Sequence, residues 1–218
     1  MANLGEYIGA GSGITKGLWH LNGNSNDSSG NSNDGTDTDI TYSLANGRFG
    51  QGAGLNGSSS YIDCGLPVLT AIDNWTISCW VKPDSSSTGI TTIIVCNGDT
   101  DDNGYHLRYR DGNFYILLGF VTISDAVEAT VGEFQHIVVI RRSGSLYLYK
   151  NGSENSLGTD TPITPSGKTL IGAYLSGGSL GGNFFDGSID EVIIENRAWT
   201  AQEIKKYYTN SLGIFATL

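Results

Sequence analysis

Charge is scarce in this chain of 218 residues. Asp, Glu, Lys and Arg together make up 16 %, and only 12 Lys and Arg stand against 22 acidic residues. A nucleic-acid surface needs clustered cations to displace counterions from phosphate, so a net charge of −10 argues against nucleic acid and anionic membranes as partners. Proline is nearly missing, at 4 residues, and the 31 glycines show no Gly-X-Y period, which excludes collagen. The three cysteines, Cys64, Cys79 and Cys96, are too few and too irregularly spaced for a disulfide framework, although one pair with a thiol left over stays open. No apolar run reaches transmembrane length. The opening MANLGEYIGAGSG has neither a basic start nor an apolar core, so no secretory signal is expected.

What is present is enough for a core. The apolar fraction is 39 %, too high for disorder at this charge, and the length suits one large β domain. Residues 1–13 are small and Gly-rich and read as a flexible arm. Residues 14–218 read as one domain. Residues 14–21 form a first strand, and the polar stretch 22–39 reads as loop. Two or three short strands follow over 40–63, broken at Asn46-Gly47 and Asn56-Gly57.

The run WTISCWVK at 75–82 is the clearest strand. Trp75, Ile77, Cys79 and Val81 share one face, and Thr76, Ser78, Trp80 and Lys82 the other. The β-branched run 90–96 fits a buried strand. Tyr105, Leu107 and Tyr109 alternate with His106, Arg108 and Arg110, and Asp111-Gly112 turns that strand into 113–123. Residues 134–142 and 145–150 pair across Ser143-Gly144, and Asn151-Gly152 makes the next turn. Segments 168–174 and 184–195 complete the strands. One helix is expected at about 201–210, opened by the capping box Thr200…Glu203 and carrying the stripe Ile204, Tyr207, Tyr208. Many short strands with regular turn signals make an all-β sandwich or jellyroll.

Five segments, in order, resemble laminin-G-like jellyroll domains of the concanavalin A-like lectin and glucanase superfamily. They are GLWHLNGNSNDSSGNSNDGT, FGQGAGLNGSSSYIDCG, WTISCWVKP, FQHIVVIRRSGSLYLYKNG and FFDGSIDEVIIENRAWTAQEIKKYY. Phe134 departs from the Trp usual in the family. The resemblance implies two stacked antiparallel sheets of about six or seven strands each, a short C-terminal helix, and a non-catalytic role binding glycans or proteins.

The glucanase branch needs carboxylates alternating along one strand to flank the scissile bond. In SIDEVIIE, Ser188 stands where the first Glu is needed. Strict alternation puts Asp190 on the face opposite both Glu191 and Glu195, so no catalytic pair forms there and no enzyme is expected. Calcium requires six to eight hard oxygens. By resemblance, a structural Ca²⁺ would join Asp27, helped by Asp34, to Asp190; an Asx-turn at Asp27 is the other reading. The loop 97–104 supplies Asp99, Asp101 and Asn103 as a second, rim-type calcium set, but Arg110 occupies the twelfth position where an EF-hand has Glu. Trp80, Tyr105, Arg108 and Tyr115 are candidates to bind a glycan through aromatic faces and a planar cation, although Trp80 reads more readily as core, since Trp is usually mostly buried. His20, His106 and His136 lack ligand spacing and read as structural.

The expected function is a binding or adhesion module for a glycan or surface protein, extracellular or on a virion. A decoration protein docked on the capsid or tail proteins of a phage is the second reading, and a glycoside hydrolase the third.

Overall fold

Strands that alternate apolar and polar residues bury one face, and the sandwich satisfies two such sheets at once. The computed structural model describes residues 13–69, 73–99, 104–118, 121–159 and 164–213, without the side chains of 121–126, 156–157 and 212–213. Nearly all of the proposed N-terminal arm, and with it any docking role for residues 1–12, lies outside the described residues.

The N-terminal strands are β1 (Thr15–Trp19), β2 (Thr36–Thr38), β3 (Thr41–Ser43), β4 (Gly52–Asn56) and β5 (Tyr61–Asp63). The central ones are β6 (Trp75–Pro83), β7 (Thr92–Gly98), β8 (Gly104–Arg110), β9 (Asn113–Leu118), β10 (Val121–Glu128), β11 (Gln135–Arg142), β12 (Ser145–Lys150) and β13 (Ser153–Thr159). Then come β14 (Thr169–Ile171), the small hairpin β15 (Leu175–Ser176) and β16 (Ser179–Leu180), β17 (Asp186–Glu195) and helix α1 (Ala201–Gly213). No helix among the described residues is long and apolar enough to cross a membrane.

The first sheet has eight strands in the order β13-β12-β11-β6-β17-β4-β3, with β1 also paired to β17; the second has seven, β10-β9-β8-β7-β14-β5-β2. All pairings within these two sheets are antiparallel. The hairpins at Asp111-Gly112 and Ser143-Gly144 have both central residues at positive φ, the type I′ geometry whose twist matches the strands. Strands β2 and β13 escape sequence reading because TDT and SENSLGT are short or polar and lie at sheet edges. The expected strand 113–123 is two strands, β9 and β10, folded back on each other.

The core lies between the sheets. Trp75, Ile77, Cys79 and Val81 of β6 and Ile137 and Val139 of β11 meet Tyr105, Leu107 and Tyr109 of β8 and Phe114 and Ile116 of β9. The Trp75 and Tyr105 rings pack with centroids 4.5 Å apart. All three cysteines are buried and free, so the open disulfide possibility is closed.

The outer face of the first sheet is closed by the C-terminus. Leu18, Val138, Ile140, Tyr149 and Ile193 bury against Trp199, Ile204 and Tyr207. The Thr76 hydroxyl donates to the Arg197 carbonyl (2.7 Å) and accepts from the Trp199 N–H (3.0 Å), fixing the chain's entry to α1. The capping box forms as expected: the Thr200 N–H donates to Glu203 Oε2 (2.7 Å), and the Glu203 N–H donates to Thr200 Oγ1 (3.2 Å). A third, smaller cluster packs Ala173 and Leu175, next to and within the β15–β16 hairpin, onto Ile93, Cys96 and Leu170 on the outer face of the second sheet.

Because α1 docks through Trp199, Trp199→Ala should lower unfolding free energy by about 3–5 kcal/mol, the usual range for emptying a buried Trp site. Denaturant titration checks this; a loss under 1 kcal/mol would mean the helix is not part of the cooperative unit.

Candidate functional site

Strand β17 does not alternate as its sequence predicts. The register shifts between Asp190 and Ile193, and Glu191 sits at φ 49. This bulge inserts one residue, so Asp190 lies opposite Trp80 and Glu195 opposite Thr76, both on the outer, helix-covered face. The expectation that Asp190 and Glu195 face opposite sides is therefore corrected. All three carboxylates of the segment are buried and engaged. Asp190 accepts from the backbone N–H groups of Arg48 (2.7 Å), Phe49 (2.8 Å) and Glu191 (2.9 Å). Glu191 meets His20 Nδ1 at 2.9 Å. Glu195 accepts from the Thr15 hydroxyl, the Trp199 indole N–H and Arg197.

Asp27 and Asp34 are in contact with each other, while the hydrogen bonds of Asp190 go to Arg48, Phe49 and Glu191. Asp27 Oδ1 accepts from the N–H groups of Leu18 (3.0 Å) and Ser29 (2.8 Å), and Oδ2 from the Ser29 hydroxyl (2.8 Å) and the Asn33 N–H (3.0 Å). Asp34 accepts from the Asp27 N–H at 2.8 Å. Four donors pointing at one carboxylate are a hydrogen-bond hub, a generalised Asx-turn. Asp99 is likewise committed: it is buried and accepts from Gly177 (3.2 Å) and Gly178 (2.7 Å), which pins the β15–β16 turn. Asp101 and Asn103 lie outside the described residues. Among the described residues no group of three or more His, Cys, Asp or Glu is placed to hold a metal.

Two of the four aromatic or cationic ligand candidates are also corrected. Tyr105 is fully buried in the inter-sheet core, because it shares the inward phase of β8 with Leu107 and Tyr109. Trp80 is 1 % exposed, stacked with His136 and Tyr208 and met edge-on by Phe49, with the Arg48 guanidinium 4.9 Å from its ring centroid, so no ligand reaches it.

Arg108 and Tyr115 are brought together. They are directly opposite in the β8–β9 register, both half-buried, on the outer face of the second sheet. Directly opposed side chains sit about 5 Å apart at Cβ, within contact for such long groups. Sequence reading missed one neighbour, Tyr174. It comes from the segment leading into the β15–β16 hairpin and lies close enough to influence the Arg108 guanidinium. Gly181 leaves room for the Tyr174 ring, since a Cβ there would lie 2.2 Å from it. His106, one outward step along β8, is fully buried with Nε2 3.6 Å from Cys96 Sγ. Burial and the Arg108 charge push its pKa down to about 3, so it is neutral. The alternation of β8 carries the signal for His106; nothing local carries it for Tyr174.

Residues 56–205 match a laminin-G family model described as the concanavalin A-like lectin/glucanases superfamily. The chain belongs to this superfamily. A comparison with curated proteins gave no match. Among solved structures, this lectin-like domain is similar to domain 4 of AbnA, a GH43 extracellular arabinanase from Geobacillus stearothermophilus, in complex with arabinotriose. The identity is 25 % and the TM-score 0.75, over 89 % of this chain and 98 % of that one. It is also similar to the ligand binding domain of botulinum neurotoxin serotype D in complex with N-acetylneuraminic acid, at 14 % identity, TM-score 0.69, 90 % of this chain and 51 % of that one. A Trypanosoma rangeli sialidase mutant matches at 15 % identity and TM-score 0.69, over 93 % of this chain and 34 % of that one. The last two likenesses are of fold alone, and the chain spans about half and about a third of those proteins.

Two predictions follow from the carboxylates. Asp27→Ala strands four donors and should cost about 2–4 kcal/mol in a denaturant titration; a loss below 1 kcal/mol would remove its role as hub. The second concerns pH. Glu191 raises His20 above its ordinary 6.5, chiefly by accepting its hydrogen bond. Burial, and then the Glu191 charge, push Asp190 from 3.8 up to about 8 against the pull of its three N–H donors. Both groups bind protons more tightly when folded. Their stabilisation is complete at low pH and is lost as pH rises, between about 4 and 8 for Asp190 and above 6.5 for His20. Thermal melts should therefore show the midpoint falling from pH 6 to pH 8, with a smaller fall in His20→Gln. A midpoint that rises over this interval contradicts the assignment.

Proposed function

We propose that this domain is a non-catalytic carbohydrate-binding module, and that the outer face of its second sheet, around Arg108 and Tyr115, meets the glycan. The observation that carries the reading is the likeness over almost the whole of domain 4 of an arabinanase, solved in complex with arabinotriose. The local chemistry agrees. A sugar presents C–H faces that rest on aromatic rings and hydroxyls that need planar polar partners. Tyr115 and Tyr174 supply rings and Arg108 the polar fork, all half-buried. The non-catalytic part of the proposal is supported by Asp190, Glu191 and Glu195, each bound to structural partners beneath or beside α1. A glycosidase needs two carboxyl groups facing its substrate.

The test is a glycan array at micromolar protein, followed by calorimetric titration of the best oligosaccharide. Tyr115→Ala should weaken binding at least fivefold, about 1 kcal/mol. Leu44→Ala, an exposed residue in a turn between β3 and β4 of the other sheet, should leave it unchanged. A reducing-sugar assay on the same oligosaccharide should show no release. An array without signal, or binding indifferent to Tyr115→Ala, defeats the proposal, as does turnover that disappears in Asp190→Asn.

A further inference from the structure

Most cations with described side chains have visible partners. Arg110 pairs with Asp111, Arg197 with Glu195 and Glu203, and Lys168 with Asp63. Arg141 donates to the Asp73 carbonyl, Lys150 donates to the Glu128 carbonyl, and Arg142 lies over the Tyr147 ring. Arg108 breaks this pattern. Among the described residues no carboxylate pairs with it, and its Nε is buried without a hydrogen-bond partner. Its charged form is disfavoured by burial; among the described residues Cys96, Tyr174 and His106 lie near it, burial pushes the Cys96 thiol up to about 12, and His106 is neutral. The adjacent outward residue on the same strand, His106, is fully buried and its Nδ1 also lacks a partner.

Leaving a guanidinium partly desolvated and unpaired costs stability, more so next to a second orphaned polar atom. The chain carries 22 acidic residues, yet among the described side chains no carboxylate pairs with this guanidinium. An anionic group of a ligand would complete it. We infer that the glycan taken by this face carries a carboxylate, which Arg108 receives as a planar, two-point ion pair while Tyr115 packs beside the ring. The ligand class is an acidic sugar, a uronic or sialic acid unit, rather than a neutral chain. This inference rests on the glycan-binding reading above and adds the charge of the ligand to it.

The experiment uses matched pairs that differ in the carboxylate. Calorimetric titrations compare trigalacturonate with its trimethyl ester, and sialyllactose with lactose, alongside the array described above. The expected result is that the acid member of at least one pair binds tenfold or more tightly than its neutral partner. Arg108→Gln should bring that ratio near one, and Arg108→Lys should keep part of it because the charge remains without the fork. Neither variant should melt below the wild type, since among the described residues the Arg108 Nε has no hydrogen bond to lose, and Arg108→Gln removes a partly desolvated charge. If the array shows glycan binding but neither pair shows an acid preference, or the preference survives in Arg108→Gln, the inference is overturned and the glycan-binding reading stands. If no glycan binds at all, the reading beneath it fails.

Discussion

The structure depends on one constraint: both sheets must bury their inward side chains against each other along the same layer. The rings of Trp75 and Tyr105, 4.5 Å apart, join across that contact, with the aliphatic rows of β6, β11 and β17 on one side and of β7, β8 and β9 on the other. Satisfying the inward rows leaves each sheet with an outer face, and the two faces are treated differently. The first is sealed by Trp199 and α1 over Ile193, Val138 and Ile140. The second is only partly covered, by the segment around Ala173 and Leu175 lying over Ile93, Cys96 and Leu170. Function, on this account, belongs to what the second face leaves uncovered.

The acidic residues illustrate how buried polar groups are kept. Each of Asp27, Asp99 and Asp190 accepts at least two backbone N–H bonds and ties one segment to another: the 27–33 loop to β1, the β15–β16 turn to the end of β7, and residues 48–49 to β17. Carboxylates used this way stabilise irregular connections that have no ladder to join. The same residue types, read as sequence, look equally like metal ligands. Only the direction of the donors around them tells the two apart.

Much of the fold is legible in the sequence because period-two alternation and turn chemistry act locally. The phase of 75–82, the hairpin turns at Asp111-Gly112 and Ser143-Gly144, and the Thr200–Glu203 box all reappear in the structure for the reasons their residues give. The bulge at Glu191 was not legible: Glu at φ 49 has no compositional mark, and one inserted residue moves Glu195 to the other face. The candidate site was legible in part. The alternation of 104–110 already separates Arg108 from Tyr105, so their joint assignment to one ligand face conflicts with the strand's own phase. Tyr174 could not be found this way, since its approach to Arg108 depends on a hairpin folding over from a distant segment.

The account's central claim is that the partly covered outer face of the second sheet is where ligand meets protein. Amide chemical-shift mapping during titration with the tightest-binding oligosaccharide tests this most directly. The account predicts shifts concentrated on β8, β9 and the segment from Ala173 to Gly181. Shifts confined to the 22–35 loop, or to α1 and the strands beneath it, would contradict it.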